Sequence, residues 1–265
     1  MTVWTPRRVA AGLAVPAQVS GRRLLVDRGG LVVAAGFYLL VSFALSGLWS
    51  AAAQESGTLA GYTADALVWY AFTAEAAVCA IEVRLIERIG EDIADGVYTL
   101  ETVRPLPALA VRYAVEAGRA LAGLAVLATF GAAVAWLVAG PPPSTAGALV
   151  AVPSLVLAVL VSLALQHLVA ATSFWLRDAK VGWFLYLKGV FLLGGLLLPL
   201  EVLPGAMRDV AYATPFPATA YAPARLAAGA PGWWPLAAQA GWLVVTLAAA
   251  AAVFAAGRRR VAVVG

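Results

Sequence analysis

Residues 120–176 read ALAGLAVLATFGAAVAWLVAGPPPSTAGALVAVPSLVLAVLVSLALQHLVAATSFWL, without a single Asp, Glu, Lys or Arg. A helix rises about 1.5 Å per residue, so about 20 apolar residues cross a hydrocarbon core of about 30 Å. The stretch is long enough for two crossings. Gly140-Pro141-Pro142-Pro143-Ser144 divides it, because proline cannot continue a helix. Further charge-free runs extend from Gly29 to Gln54 and from Pro235 to Gly257. Of the 265 residues, 63% are hydrophobic and 12% charged, a balance that a soluble domain of this size could not hide. Lipid offers backbone groups no water, so each span must be a helix. The fold class is an all-α membrane protein.

Six spans are expected, at about Leu31–Leu48, Ala66–Ile81, Ala120–Ala139, Ala148–Trp175, Val181–Leu198 and Leu236–Ala256. The second contains Glu75 and the fifth Lys188. Basic residues set the direction. Arg7, Arg8, Arg22, Arg23 and Arg28 precede the first span. Arg84, Arg88, Arg104, Arg112 and Arg119 fill the second connection. Arg177 and Lys180 follow the fourth span, and Arg258, Arg259 and Arg260 the sixth. The opposite side carries only Arg208 and Arg225. Both termini are thus expected in the cytoplasm. Residues 1–29 form a cytoplasmic interfacial segment, 30–257 the six-span membrane domain and 258–265 a basic tail. Arg7-Arg8 before Val9–Val15 faintly resembles a signal peptide. Gly12 and Pro16 interrupt so short an apolar stretch, and a segment lying on the membrane surface fits better.

The net charge of +4 follows from this topology and implies no nucleic acid, since aromatic-basic interleaving is absent. The single Cys79 excludes an internal disulfide. No internal repeat points to an inverted-repeat transporter.

Residues 82–119 hold 12 of the 32 charged residues. Within them Ile86, Ile89, Ile93, Val97 and Leu100 recur at spacings of three and four, one apolar helix face. Arg84, Glu87, Arg88, Glu91, Asp92 and Asp95 fall on the other side. Gly96 is placed to end the helix, and Pro105 and Pro107 bend the chain before the third span. One reading is an interfacial helix with a solvated face. The other is an element that docks on a cytoplasmic partner, which the mixed charge favours, because a helix on anionic lipid would be mostly basic.

Ile89-Gly90-Glu91-Asp92-Ile93-Ala94-Asp95-Gly96, followed by Thr102-Val103-Arg104-Pro105, resembles the I-x-x-D-I-x-x-G and R-P pattern of bacterial ABC type-2 exporter permeases. Pro199, Glu201, Pro204-Gly205, Pro215-Phe216, Pro223 and Gly229 are similar to the proline-punctuated stretch before the last span of those permeases. Tyr98-Thr99-Leu100-Glu101 departs from the more basic or apolar run that relatives often carry. The resemblance covers most of the chain. It implies six spans with both termini cytoplasmic, in the bacterial cytoplasmic (inner) membrane. It implies a coupling helix between spans two and three that docks on an ATPase through Ile89, Asp92, Ile93, Gly96, Arg104 and Pro105. It implies short re-entrant helices on the outer side before span six. The expected partners are two ATPase subunits, a second permease (self or a related chain) and the lipid bilayer. No cofactor is expected in this chain. ATP and Mg belong to the partner, because no G-x-x-x-x-G-K-[S/T] loop surrounds Lys180 or Lys188.

A charge at the centre of a span costs on the order of 3 kcal/mol on insertion scales, so intramembrane polar groups are candidates for the substrate path. Glu75, near mid-depth, either faces a cavity or pairs with Lys188, if it is not a protonated carboxyl between helices. His167, beside Gln166, is a packed hydrogen-bonded histidine or a path residue, and alone it makes neither a zinc site nor a proton relay. Lys188 either snorkels or lines the path. Glu201 meets leaving substrate, Arg208 or solvent. Trp233-Trp234 and Trp242 read as interfacial anchors. The apolar spans suit a hydrophobic or amphipathic cargo. An ion-coupled secondary transporter, with Glu75 and Lys188 as coupling residues, is the alternative. An intramembrane protease fits less well, since neither Gly-x-Ser-x-Gly nor H-E-x-x-H is present.

Overall fold

In the computed structural model, residues 6–97, 106–176, 179–230 and 232–264 are described. Among them the regular structure is helical: α1 (Pro6–Val26), α2 (Arg28–Ser56), α3 (Ala64–Cys79), α4 (Leu85–Ala94), α5 (Ala108–Ala139), α6 (Thr145–Ala170), α7 (Lys180–Leu192), α8 (Gly205–Tyr212), α9 (Tyr221–Ala227) and α10 (Trp234–Val264). Three 3-10 turns, at Ala171–Phe174, Leu200–Val202 and Phe216–Ala218, join them.

The helix boundaries follow local chemistry. Asp27 accepts from the Gly30 amide at 3.0 Å and starts α2. Thr63 caps α3 through the Ala66 amide at 3.3 Å, and Ser144 caps α6 through the Gly147 amide at 3.1 Å. Each satisfies an amide that the first helical turn leaves open. Gly140, at φ +73°, ends α5 ahead of the three prolines.

Among the described residues four helices are long and apolar enough to cross a membrane: Arg28–Glu55, Ala108–Ala139, Thr145–Phe174 and Trp234–Arg260. The other two expected spans are shorter. α3 has 16 residues, about 24 Å at the helical rise. It is buried on nearly every side, between α2, α5, α6 and α9.

The expected fifth span, Val181–Leu198, needs correction. Its helix, α7, has 13 residues and stops at Leu192, about 20 Å. Gly194 and Gly195 cause the stop. Gly195 adopts φ +71°, and a Cβ there would sit 2.9 Å from Tyr221 Cβ and 2.9 Å from the Tyr70 hydroxyl oxygen. The freed backbone bonds to neighbours instead. The Tyr221 amide donates to Gly194 O at 2.9 Å, and the Tyr70 hydroxyl donates to Gly195 O at 2.7 Å. The leucines that followed looked like more helix, but they belong to this folded-back turn.

The connections collect at two ends of the bundle. At one end Tyr62 bonds to Glu201, Trp69 Nε1 donates to Gly140 O at 3.2 Å, and Gly147 packs against the Leu226 carbonyl. At the other, Trp183 Nε1 donates to Val83 O at 2.9 Å and Gly257 packs against Phe174. The N-terminal segment is the helix α1, which packs along α5. The two touch where a Cβ on Gly118 would lie 2.0 Å from the Ala17 carbonyl oxygen and one on Gly21 would lie 2.8 Å from that of Gly118. Glycine is required there by contact, as in other close helix pairs.

Candidate coupling surface and intramembrane polar groups

The helix expected at 86–100 is α4, which spans Leu85–Ala94. Its apolar side, Leu85, Ile86, Ile89 and Ile93, is buried against the rest of the chain. It packs on the 3-10 turn at 171–174 and on the start of α7. Gly90 makes that contact close, since a Cβ there would meet Ala179 Cβ at 2.4 Å and Ser173 Oγ at 2.7 Å. Gly96 adopts φ +74° and its amide donates to Ile93 O at 3.2 Å, closing the helix as expected. Arg104 and Pro105 lie outside the described residues.

The charged side differs from the expectation of a solvated face. Arg112 Nη1 donates to Asp92 at 2.5 Å, with side chains 15% and 31% exposed. Arg88 Nη2 donates to Glu116 at 2.8 Å and to Glu82 at 3.2 Å, and Arg119 Nη1 donates to Glu82 at 3.2 Å. Arg88 and Asp92 are one turn apart on α4, and Arg112 and Glu116 are one turn apart on α5. Their signs match when the helices run in opposite senses, so α4 is fastened at two points to the start of α5. Partial burial pulls the Arg88 guanidinium down. Glu116 and Glu82 outweigh it and hold the group above its ordinary value. The outer edge of α4 and its flanks stays open: Val83, Arg84, Glu91, Ala94, Asp95 and Val97 are exposed. Arg84 pairs along that edge with Glu87 at 2.7 Å.

The four intramembrane candidates are scattered. Glu75 is buried one turn before the C-terminal end of α3, and the Cys79 thiol donates to it at 3.6 Å. Among the described residues it makes no ion pair, with Lys188 or any other cation. Lys188 is on the exposed side of α7, its ammonium 5.1 Å from the Phe184 ring centre. His167 is buried in α6, with Nδ1 2.8 Å from Leu163 O and the ring edge-on to Tyr113. Its Nε2 has no hydrogen-bond partner among the described residues. Glu201 accepts from the Tyr62 hydroxyl at 3.1 Å and from the Tyr221 hydroxyl at 2.5 Å, rather than pairing with Arg208.

A family model described as an ABC-2 family transporter protein matches residues 38–265. The chain belongs to that family. It is a membrane transport subunit rather than a catalytic one. Comparison with curated proteins and comparison with solved structures each returned no match.

This ABC-2 family chain contains two features that sequence reasoning did not find. The first is a groove of about 1210 Å³ between α3, α5 and α6. Trp69 and Phe72 on one side face Ala125, Ala128, Ala132 and Leu155 on the other. None of Glu75, His167, Lys188 and Glu201 lines it. Its only sequence signal is the run of alanines on α5, which composition alone cannot distinguish from lipid-facing surface. The second is a tyrosine cluster around Glu201, in which the hydroxyls of Tyr212 and Tyr221 are 3.0 Å apart. Tyr62, the third member, stands 150 residues before Tyr212 in the chain, and no local spacing links it to the other two.

Proposed function

We propose that this chain is the membrane-spanning permease subunit of an ATP-driven exporter in the bacterial cytoplasmic membrane. A separate ATPase supplies ATP and Mg chemistry. The observation that carries the reading is α4, a short amphipathic helix pinned on one side to α5 by Arg88–Glu116 and Asp92–Arg112, with its other edge free. A partner that moves the free edge moves α5 with it. In this reading Asp92, Ile89 and Ile93 hold the coupling helix to the permease and Gly96 ends it, while Arg104 and Pro105 stay among the ATPase-coupling residues that the resemblance implies. The edge of Arg84, Glu91 and Asp95 meets the ATPase.

The rest of the assembly follows from the family. Two ATPase subunits serve two permeases, this chain paired with itself or with a related one. Six crossings with both termini cytoplasmic fit the basic residues at the α4 end, and of the two shorter crossings α3 is sheltered by its neighbours. The cargo is hydrophobic or amphipathic, matching the apolar groove. A lysine on the exposed face of α7 is unfavourable against acyl chains, so Lys188 faces headgroups or a wetted path. Glu201 stands at the outer end of that path, with Glu75 and His167 in the packed interior.

The test is affinity purification of the full chain from its native membrane, followed by reconstitution. An ATPase subunit should co-purify, the complex should hydrolyse ATP, and the chain alone should not. Robust hydrolysis by the chain alone, or transport driven by an ion gradient with no ATPase present, would overturn the reading.

A further inference from the structure

A second cavity, of about 330 Å³, lies at the end of the bundle that carries Tyr62 and Glu201. Its walls come from α8, α9 and the start of α10. Arg225 lines it, with its guanidinium carbon 5.6 Å from the Tyr221 ring centre and 5.4 Å from that of Trp234. Nε is sealed from solvent and has no hydrogen-bond partner. Among the described residues the guanidinium makes no ion pair. Of the five N–H donors of a guanidinium, the one on Nε is thus desolvated without an acceptor, which is unfavourable.

Two other polar residues of the lining are already engaged. Gln239 donates to Ser154 O at 3.0 Å and to Ala218 O at 2.9 Å, and accepts from Ser154 Oγ at 2.8 Å. Thr214 donates to Ala211 O at 2.7 Å. Glu201 is bonded to the Tyr221 hydroxyl but does not line the cavity. What the cavity offers a ligand is therefore one cation in an aromatic and aliphatic setting.

We propose that this cavity binds the phosphate group of an anionic phospholipid from the leaflet on that side. Arginine suits a phosphate because its planar fork can meet two oxygens at once. The remaining walls, including Pro217, Ala222 and Pro235, suit a glycerol backbone better than a free hydrated anion. Trp234 and Trp242, which also line the cavity, are residue types that gather at the lipid–water boundary. Beyond them α10 continues with Val244 and Val245 exposed, a surface along which acyl chains can run. The volume accommodates a headgroup and glycerol and leaves the chains outside.

The test is native mass spectrometry of the full chain in neutral detergent, titrated with phosphatidylglycerol or phosphatidylcholine. Wild type should retain phosphatidylglycerol about tenfold better, the scale of one charge-assisted contact of about 1.4 kcal/mol. Arg225→Gln should bring the two lipids to parity, and Arg225→Lys should keep part of the preference. Equal retention by wild type, or a preference that survives in folded Arg225→Gln, would overturn the proposal. Displacement of the lipid by millimolar inorganic phosphate would mark a free-anion site and overturn the lipid assignment. Should the variants not fold, a phosphatidylglycerol with a photoactivatable headgroup tests wild type directly. Cross-links to residues of α9 and the start of α10 support the site, and cross-links confined elsewhere reject it.

Discussion

Asp92→Asn, Arg112→Gln and the double variant form a cycle that measures how firmly the coupling helix is held. The charge centres of a directly bonded pair are about 4 Å apart, giving about 4 kcal/mol at an effective dielectric of about 20. The two side chains are 31% and 15% exposed, so solvent removes much of that. The expected coupling is about 1–2 kcal/mol, above an open surface pair and below a buried one. Either single change should destabilise the protein, and the double should be little worse than the more damaging single, because the shared contact is lost only once. Thermal unfolding in one detergent at low and high salt gives the stability arm, and salt should weaken the coupling. ATP-driven transport gives the functional arm. Loosening α4 should leave ATP turnover in place while transport falls. The exchange Asp92→Arg with Arg112→Asp should restore part of both, whereas Asp92→Arg alone should be the most damaging. Additive losses in the cycle, or full coupling in Asp92→Arg, would refute the argument that this pair transmits motion.

Three further outcomes are expected. Gly118→Leu should lift α1 from α5, since the Cβ alone would lie 2.0 Å from the Ala17 carbonyl. The penalty is about 1–3 kcal/mol, and it should lower the melting temperature and speed tryptic cleavage at Arg22 or Arg23. Tyr62→Phe and Tyr221→Phe each remove a donor to Glu201, which should destabilise by about 1–3 kcal/mol; unchanged melting of both would show that the cluster is not structural. For topology, cysteines at Glu55 and Pro141 should react with a membrane-impermeant thiol reagent added from outside. Cys79→Ser is the preferred background because a hydroxyl keeps a donor for Glu75, and labelling only after the membrane is opened would reverse the orientation.

The sequence was most readable where one property decides structure over many residues. Charge-free runs located the long helices, and the prolines after Gly140 located the break between α5 and α6. The 3.6-residue rhythm located α4. Legibility failed where a few glycines override composition. Residues 193–198 have the hydropathy of a span, yet Gly194 and Gly195 turn the chain, because the stabilising contacts come from Tyr70 and Tyr221 on other helices. Ile89, Asp92 and Ile93 were found, but as a docking face. They point into the protein, and only the matching order of Arg88, Asp92, Arg112 and Glu116 hints at that. Glu201 was found without its tyrosines, and Arg225 was read as a topological charge when it lines a cavity.

α3 offers a mechanical consequence. At one end it is joined by a five-residue turn, Ala80–Arg84, to α4, and the Glu82 of that turn is clamped by Arg88 and Arg119. At the other end Trp69 and Tyr70 donate to Gly140 and Gly195, backbone carbonyls of two separate far-side connections. Between these fixings it is wrapped by protein, and Glu75 is buried there. Such a helix behaves as a push-rod in a sleeve. Under the proposed exporter function, a displacement applied at the α4 end would be carried along this packed helix to the carbonyl anchors of the distant turns, so that opening at the far end would be timed by an event some 24 Å away without any helix having to bend.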